Sequence, residues 1–202
     1  MNFKAPAIVC ASRAHGETAA IARLLTSEHG LVAGYVAGGR GRQLRPVLIP
    51  GNIVDAELRA KSESQLPFAR LELVQSRGPW LSEPLPSAAI SWVTALAAST
   101  LPERHPYPAL YEALSGLLDA ICVAPSARGW VPPLLSFEQL LLRELGYGAS
   151  KPSTPGDDWP ALMARYDNLG RHIERYVLAE RRSDVMAARS MLRDRLARIE
   201  NG

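Results

Sequence analysis

Residues 32–52, VAGYVAGGRGRQLRPVLIPGN, join one apolar stretch to another through a segment that carries Arg40, Arg42 and Arg45 and no acid. A phosphate-cradling loop of the nucleotide-hydrolase kind needs a Gly-Lys-Ser/Thr ending, which is absent. A dinucleotide fingerprint needs a third glycine and a following helix. Gly39-Arg40-Gly41 is instead followed by Arg42-Gln43-Leu44 and then by strand texture. What remains is a loop between strands, made flexible by Gly38, Gly39 and Gly41. Its arginine forks match phosphate oxygens two at a time. The plainer alternative is a solvated hairpin whose arginines keep the surface soluble.

Working outward, residues 7–13, 31–37, 52–60 and 68–76 read as short strands, with Leu71 and Leu73 alternating with Arg70 and Glu72. Residues 18–26 fit strand or helix, because Ile21, Leu24 and Leu25 suit either period. Five strands punctuated by Gly and Pro imply a small closed or partly closed β-barrel over residues 1–80. Such barrels bind oligonucleotides, with bases on aromatic rings and phosphates in a basic groove. Tyr35 is the first candidate for stacking and Phe68 the second, although a core position suits Phe68 better. Lys4, Arg13, Arg59, Lys61 and Arg70 widen the basic surface if they share a face. Residues 1–80 hold ten Lys or Arg against six Asp or Glu, and residues 81–202 thirteen against fourteen, so the net charge of +3 originates in the first part of the chain. That asymmetry points towards a polyanion.

After Trp80 the texture changes. GPWLSEPLPS marks a boundary, and residues 81–202 form a helical domain. Ser87 is the expected N-cap of a first helix, Pro106 and Pro108 open a second, and Pro133 opens a third that Gly146 stops. GASKPSTPGDD, residues 148–158, is a polar loop in which Asp157 and Asp158 suit a helix N-terminus. Two further helices follow, with Leu162, Tyr166, Leu169 and Ile173 on one stripe and Val185, Ala188, Leu192 and Leu196 on the other, the latter helix capped at Ser183. Core packing is the first explanation of these stripes. The charges of residues 165–198 are expected on solvated faces. No internal repeat is evident.

Catalytic chemistry finds little support. No Gly-x-Ser-x-Gly turn presents a nucleophile, and His15-Gly16-Glu17 has no second histidine at metal spacing. Cys10 and Cys122 stand far apart in apolar surroundings, as free thiols in a reducing cytoplasm do. No metal or other cofactor is expected. The stretch between Glu83 and Glu103 is interrupted by proline and hydroxyl residues, so it is read as a packed helix and not a membrane span. The N-terminal MNFKAPAIVCASR lacks the apolar core of a signal peptide.

Several fragments in order, Ala7-Ile8-Val9, Gly16-Glu17-Thr18, Leu24-Leu25-Thr26, Gly38-Gly39-Arg40 and Leu48-Ile49-Pro50-Gly51-Asn52, resemble the start of the RecO family of bacterial recombination mediators. Phe137-Glu138-x-x-Leu141-Leu142 and Leu145-Gly146-Tyr147 are similar to that family's helical signature. The resemblance implies an α+β protein: an N-terminal five-stranded OB-fold followed by an all-helical domain. It also implies a non-catalytic role in DNA repair and recombination in the cytoplasm, at the nucleoid. That role is to bind single- and double-stranded DNA, anneal complementary strands and help load recombinase onto DNA coated with single-strand-binding protein. The implied partners are RecR and the acidic C-terminal tail of the single-strand-binding protein. Two departures stand out. No β-rich or four-cysteine zinc insertion follows the Leu-Gly-Tyr motif. Leu134-Leu135-Ser136 stands where some relatives carry an arginine for the acidic tail, which leaves Arg128 or Arg143, beside Phe137 and Leu141, to make that contact.

Other readings follow from the same residues. In one, the helices dock protein partners and the barrel is only a scaffold. In another the barrel binds RNA, which a preference for ribose would reveal. A hydrolase is the least supported.

Overall fold

The structure, a computed structural model, describes residues 2–62, 64–148, 158–178 and 183–199. The chain divides into two compact units, Met1–Glu83 with Leu101–Tyr111, and Pro84–Thr100 with Glu112–Gly202.

The first unit is a closed five-stranded barrel built from β1 (Asn2–His15), β2 (Ala19–Thr26), β3 (Gly30–Val36), β4 (Ile53–Arg59) and β5 (Phe68–Gln75), in the order β1-β2-β3-β5-β4. All pairings are antiparallel except the parallel β3–β5 contact at Tyr35 and Phe68. This is the OB-fold arrangement. β1 is long enough to pair twice: its first half runs along β4 and its second along β2, with a register shift between Val9 and Ala11 where it bends. Alternation sets the interior. Ala20, Ala22 and Leu24 of β2, Val32 and Val36 of β3, Val54, Ala56 and Leu58 of β4, and Ala69 and Leu71 of β5 share one core. The ambiguous segment 18–26 is thus a strand, with Ala20, Ala22 and Leu24 turned into the core and the backbone laddered to β1 on one side and β3 on the other.

Residues 101–111 group with the barrel and not with the helices. Arg104 donates its backbone N–H to the Leu31 carbonyl at 2.9 Å, and Glu103 both bridges Leu31 and pairs with Arg23 at 3.2 Å.

The second unit contains α1 (Pro84–Thr100), most of α2 (Pro108–Val123), α3 (Val131–Glu144), α4 (Trp159–Tyr176) and α5 (Ser183–Ala197). α1 begins before Ser87, so the expected cap lies inside the helix. Pro84 and Pro86 fall in the first turn, where a missing N–H breaks no intrahelical bond. Asp158 caps α4, its carboxylate accepting from Ala161 N at 2.8 Å. The side chain of Ser183, Asp157 and most of the loop expected at 148–158 lie outside the described residues. Among the described residues, no helix is long and apolar enough to cross a membrane.

Candidate nucleic-acid interface

The arginine-bearing segment between β3 and β4 is a folded plug and not a flexible loop. Its backbone closes on itself in helix-like turns, with Arg45 N bonding to the Gly41 carbonyl at 2.9 Å and Leu48 N to the Leu44 carbonyl at 3.1 Å. Those turns aim Leu44, Val47 and Leu48 into the barrel core. Gly38 takes the left-handed turn, at φ +68°, and Gly39 serves close approach. A Cβ on Gly39 would stand 2.8 Å from the Ala20 Cβ and 3.1 Å from its backbone nitrogen. Asn52 locks the far end of the segment. Its buried amide donates to the Pro46 and Val47 carbonyls at 2.8 and 3.1 Å, while its Oδ1 accepts from Arg77 N at 2.7 Å. Asn52 closes the Leu48-Ile49-Pro50-Gly51-Asn52 fragment, and an asparagine at the entry to a strand is a turn-anchoring pattern that gives this fragment a structural role.

With apolar residues turned inward, the cations turn outward, and each meets a different environment. Arg40 is anchored: its Nη1 donates to the Gly16 and Glu17 carbonyls at 2.9 and 2.8 Å, tying the plug to the β1–β2 turn. Arg42 and Arg45 are exposed and have no carboxylate partner among the described residues. Arg40 and Arg45 line a cleft of about 530 Å³ together with Ser12 and Ala14 of β1, Ala20 of β2 and the Leu48–Pro50 turn. No acid lines it. Such a cleft offers guanidinium groups and backbone to an anion with no competing negative charge.

The other expected cations do not converge there. Lys4 pairs with Asp55 at 3.5 Å, Arg70 with Glu72 at 3.7 Å, and Arg59 with Glu57 through its Nε at 2.9 Å. Lys4 meets its carboxylate across the β1–β4 ladder, whereas Arg59 and Arg70 each meet one two residues away on their own strand, and in all three the acid offsets the charge. Arg13 is exposed on β1 and Lys61 follows β4, neither with an ion pair among the described residues. Lys61 and Arg59 instead share a second depression of about 670 Å³ with Leu66 and Phe68. Tyr35 is half-buried, and its ring meets those of His15 and Phe68 edge-on at centroid separations of 5.8 and 5.2 Å. Phe68, expected in the core, is 65% exposed. Inward-facing Ala69 and Leu71 fix the strand's parity and turn Phe68 outward with Arg70.

In the helical unit, Phe137 (2% exposed) and Leu141 are core residues, so their side chains cannot meet a partner. Arg128 and Arg143 are exposed: Arg128 lies 5.1 Å from the Trp159 ring, and Arg143 pairs with neighbouring Glu144 at 3.4 Å. The signature glutamate has a structural role. Glu138, fully buried on α3, accepts from Trp92 Nε1 of α1 at 2.7 Å and from Arg189 of α5 through both oxygens, at 3.2 and 2.7 Å. Arg189 also donates to the Tyr166 carbonyl at 2.7 Å, and the Tyr166 hydroxyl donates to the Arg189 carbonyl at 3.0 Å. Burial pushes the Tyr166 hydroxyl far above its ordinary pKa, so it stays a neutral donor. Gly170 leaves the space: a Cβ there would stand 2.2 Å from Arg189 Nη1. Arg189 thus departs from the solvated face expected for the C-terminal arginines.

Cys10 is in no disulfide, and burial pushes its thiol up to about 12, so it carries no thiolate at neutral pH. Among the described residues no group of three or more His, Cys, Asp or Glu could hold a metal.

A five-stranded OB barrel with an arginine cleft, carried in one chain with a unit of packed helices, defines an OB-fold protein with a helical module. Two family models account for most of its length: recombination protein O N terminal over residues 1–77 and recombination protein O C terminal over residues 82–150. The chain belongs to the RecO family of DNA repair proteins. It is 43% identical over 150 residues to the DNA repair protein RecO of Phenylobacterium zucineum, covering 73% of this chain and 60% of that one. The RecO of Rhodospirillum centenum is 44% identical over 149 residues, 73% of this chain and 58% of its own. That of Gluconacetobacter diazotrophicus is 38% identical over 151 residues, 73% and 59%. The chain thus matches about three-fifths of the length of these relatives.

Proposed function

We propose that the barrel binds the sugar-phosphate backbone of DNA, single- or double-stranded, and that this binding serves strand annealing and recombinase loading without covalent chemistry. The observation that carries the reading is the acid-free cleft holding Arg40 and Arg45, with Arg42 exposed beside them. Annealing needs only that bound cations offset the repulsion between two polyanions and release their counterions. Nothing in that task requires a nucleophile or a metal.

The cytoplasmic nucleoid is the proposed place of action, with RecR and single-strand-binding protein as partners. Arg128 and Arg143 are the exposed cations proposed to meet an acidic tail on the helical unit. The test is fluorescence anisotropy with a labelled single-stranded oligonucleotide. Replacing Arg42 and Arg45 together with Ala weakens binding at least several-fold, while Arg128→Ala leaves the oligonucleotide affinity intact and weakens an acidic-tail peptide. Undiminished affinity in the double variant removes the cleft from the site.

A further inference from the structure

We infer that the helical unit carries a nucleic-acid site of its own, a tyrosine surface at the end of α4 that takes a second single strand while the barrel holds the first. The inference rests on the annealing reading above, since a protein that pairs two strands has a use for two sites.

The sequence pattern puts an aromatic ring where the core runs out. Tyr176 stands seven residues after Leu169 and three after Ile173, so it continues the buried stripe of α4, yet it is 43% exposed. Tyr147 meets it there. α3 is followed by a left-handed Gly146, at φ +83°, and Tyr147 N donates to the Leu142 carbonyl at 2.8 Å, the closing bond of a Schellman turn. That turn brings the Tyr147 ring, itself 45% exposed, to a centroid separation of 5.9 Å from Tyr176 and an interplanar angle of 19°. His172, one helical turn before Tyr176, adds a third ring at 6.0 Å, and its Nδ1 donates to the Asn168 carbonyl at 2.9 Å.

Charge and shape together select the occupant. The Arg175 guanidinium lies 5.3 Å from the centre of the Tyr176 ring, and Arg171, one turn earlier, extends the cations along the helix. Both are exposed and neither has a carboxylate partner among the described residues. Glu174, two positions before Tyr176, falls on the other side of α4. Exposed rings beside cations suit a base and its phosphate at once. The two tyrosines are nearly parallel, so what they present is ring face. A peptide docks by filling a pocket with an anchor side chain, whereas a base needs only a face to lie on. The bases of a duplex are already stacked on each other, so the occupant is a single strand.

The test uses the full chain and short thymidine oligonucleotides. Stoichiometry is read by titration well above the affinity, and annealing as the rate at which two labelled complementary strands pair. The wild type is expected to take up a second equivalent. Tyr147→Ala combined with Arg175→Ala should weaken that equivalent by about tenfold or more and slow annealing by a similar factor, while the first equivalent binds as before. Arg175→Glu alone, at an exposed position, should also lose the second equivalent, and Tyr147→Phe, which keeps the ring, should retain it. The Arg42 and Arg45 double variant should lose the first equivalent and keep the second. Circular dichroism is expected to show these variants folded, because neither Tyr147 nor Arg175 is buried. A wild type that takes a single equivalent overturns the helical site and leaves the barrel cleft standing, and one that takes none overturns both. A second equivalent that survives in the Tyr147 and Arg175 variants overturns the proposal. So does a variant that loses only an acidic peptide, which makes the surface a peptide site.

Discussion

In the segment between β3 and β4, Arg42 and Arg45 face solvent with no carboxylate partner among the described residues, whereas in the helical unit Arg189 is buried against both oxygens of Glu138. The two regions use one side chain to opposite ends. The guanidinium of Arg189 is consumed by Glu138, the Tyr166 carbonyl and the ring of Tyr166, 3.7 Å away, and it holds α3, α4 and α5 in register. That of Arg45 is held on a folded plug and left open. What separates a structural cation from a ligand-binding one is thus its local carboxylates, not the net charge of its segment. Lys4, Arg59 and Arg70 fall on the structural side of that line despite lying in the more basic unit.

The comparison breaks most visibly at Glu138. Glu138→Ala leaves Arg189 charged and buried without its partner, and a loss of about 3–5 kcal/mol is expected in urea unfolding. Replacing the pair together by Met and Leu should cost much less, because no orphaned charge remains. Equal losses for the single and paired variants would contradict the assignment. The barrel has a counterpart of smaller size. Gly39→Ala drives a methyl into the Ala20 backbone and Cβ, and about 1–3 kcal/mol is expected from the shift this forces, with the plug loosened in hydrogen exchange. By contrast, Arg42→Ala and Arg45→Ala should each change stability by less than about 0.5 kcal/mol, because neither side chain holds structure. The smallest effect is electrostatic. Hydrogen bonds from Arg193, at 2.7 and 2.9 Å, hold the Asp167 carboxyl below its ordinary value of 3.8. A depressed carboxylate stabilises the fold above its unfolded pKa and loses that contribution as pH falls through its folded one. Asp167→Asn should therefore make stability fall less steeply below about pH 4, and identical acid limbs would remove the pair from the balance.

Much of this was legible in the residues. The five strands followed by helices were readable because alternation and helical spacing each mark a buried face. The same alternation carried information left unused: if Leu71 points inward, Phe68 shares the face of Arg70. Likewise Arg189 stands four residues after Val185 and three before Leu192, on the buried stripe of α5, and Glu138 falls among Phe137, Leu141 and Leu142. Two opposite charges on two apolar stripes are a readable sign of a buried pair. The plug was harder to see. Its glycines and arginines read as mobile hairpin, because Leu44, Val47 and Leu48 form only about one turn's worth of helical spacing. The need for Gly39 arises from Ala20, nineteen positions earlier, and a tertiary contact of that kind has no local signature. Cation pairing was hidden only for Lys4, whose Asp55 stands across the ladder; Arg59 with Glu57 and Arg70 with Glu72 stand two apart on one strand and share its face.

The central claim is that open arginines on the plug hold nucleic-acid phosphates by charge alone. The most direct test is the slope of log affinity against log salt for a single-stranded oligonucleotide. Each phosphate contact contributes about 0.7 to that slope, so the Arg42 and Arg45 double variant should flatten it by about 1.4. Arg70→Ala, whose guanidinium pairs with Glu72, should leave it nearly unchanged. A double variant with the wild-type slope, or an Arg70 variant that flattens it as much, would contradict the account.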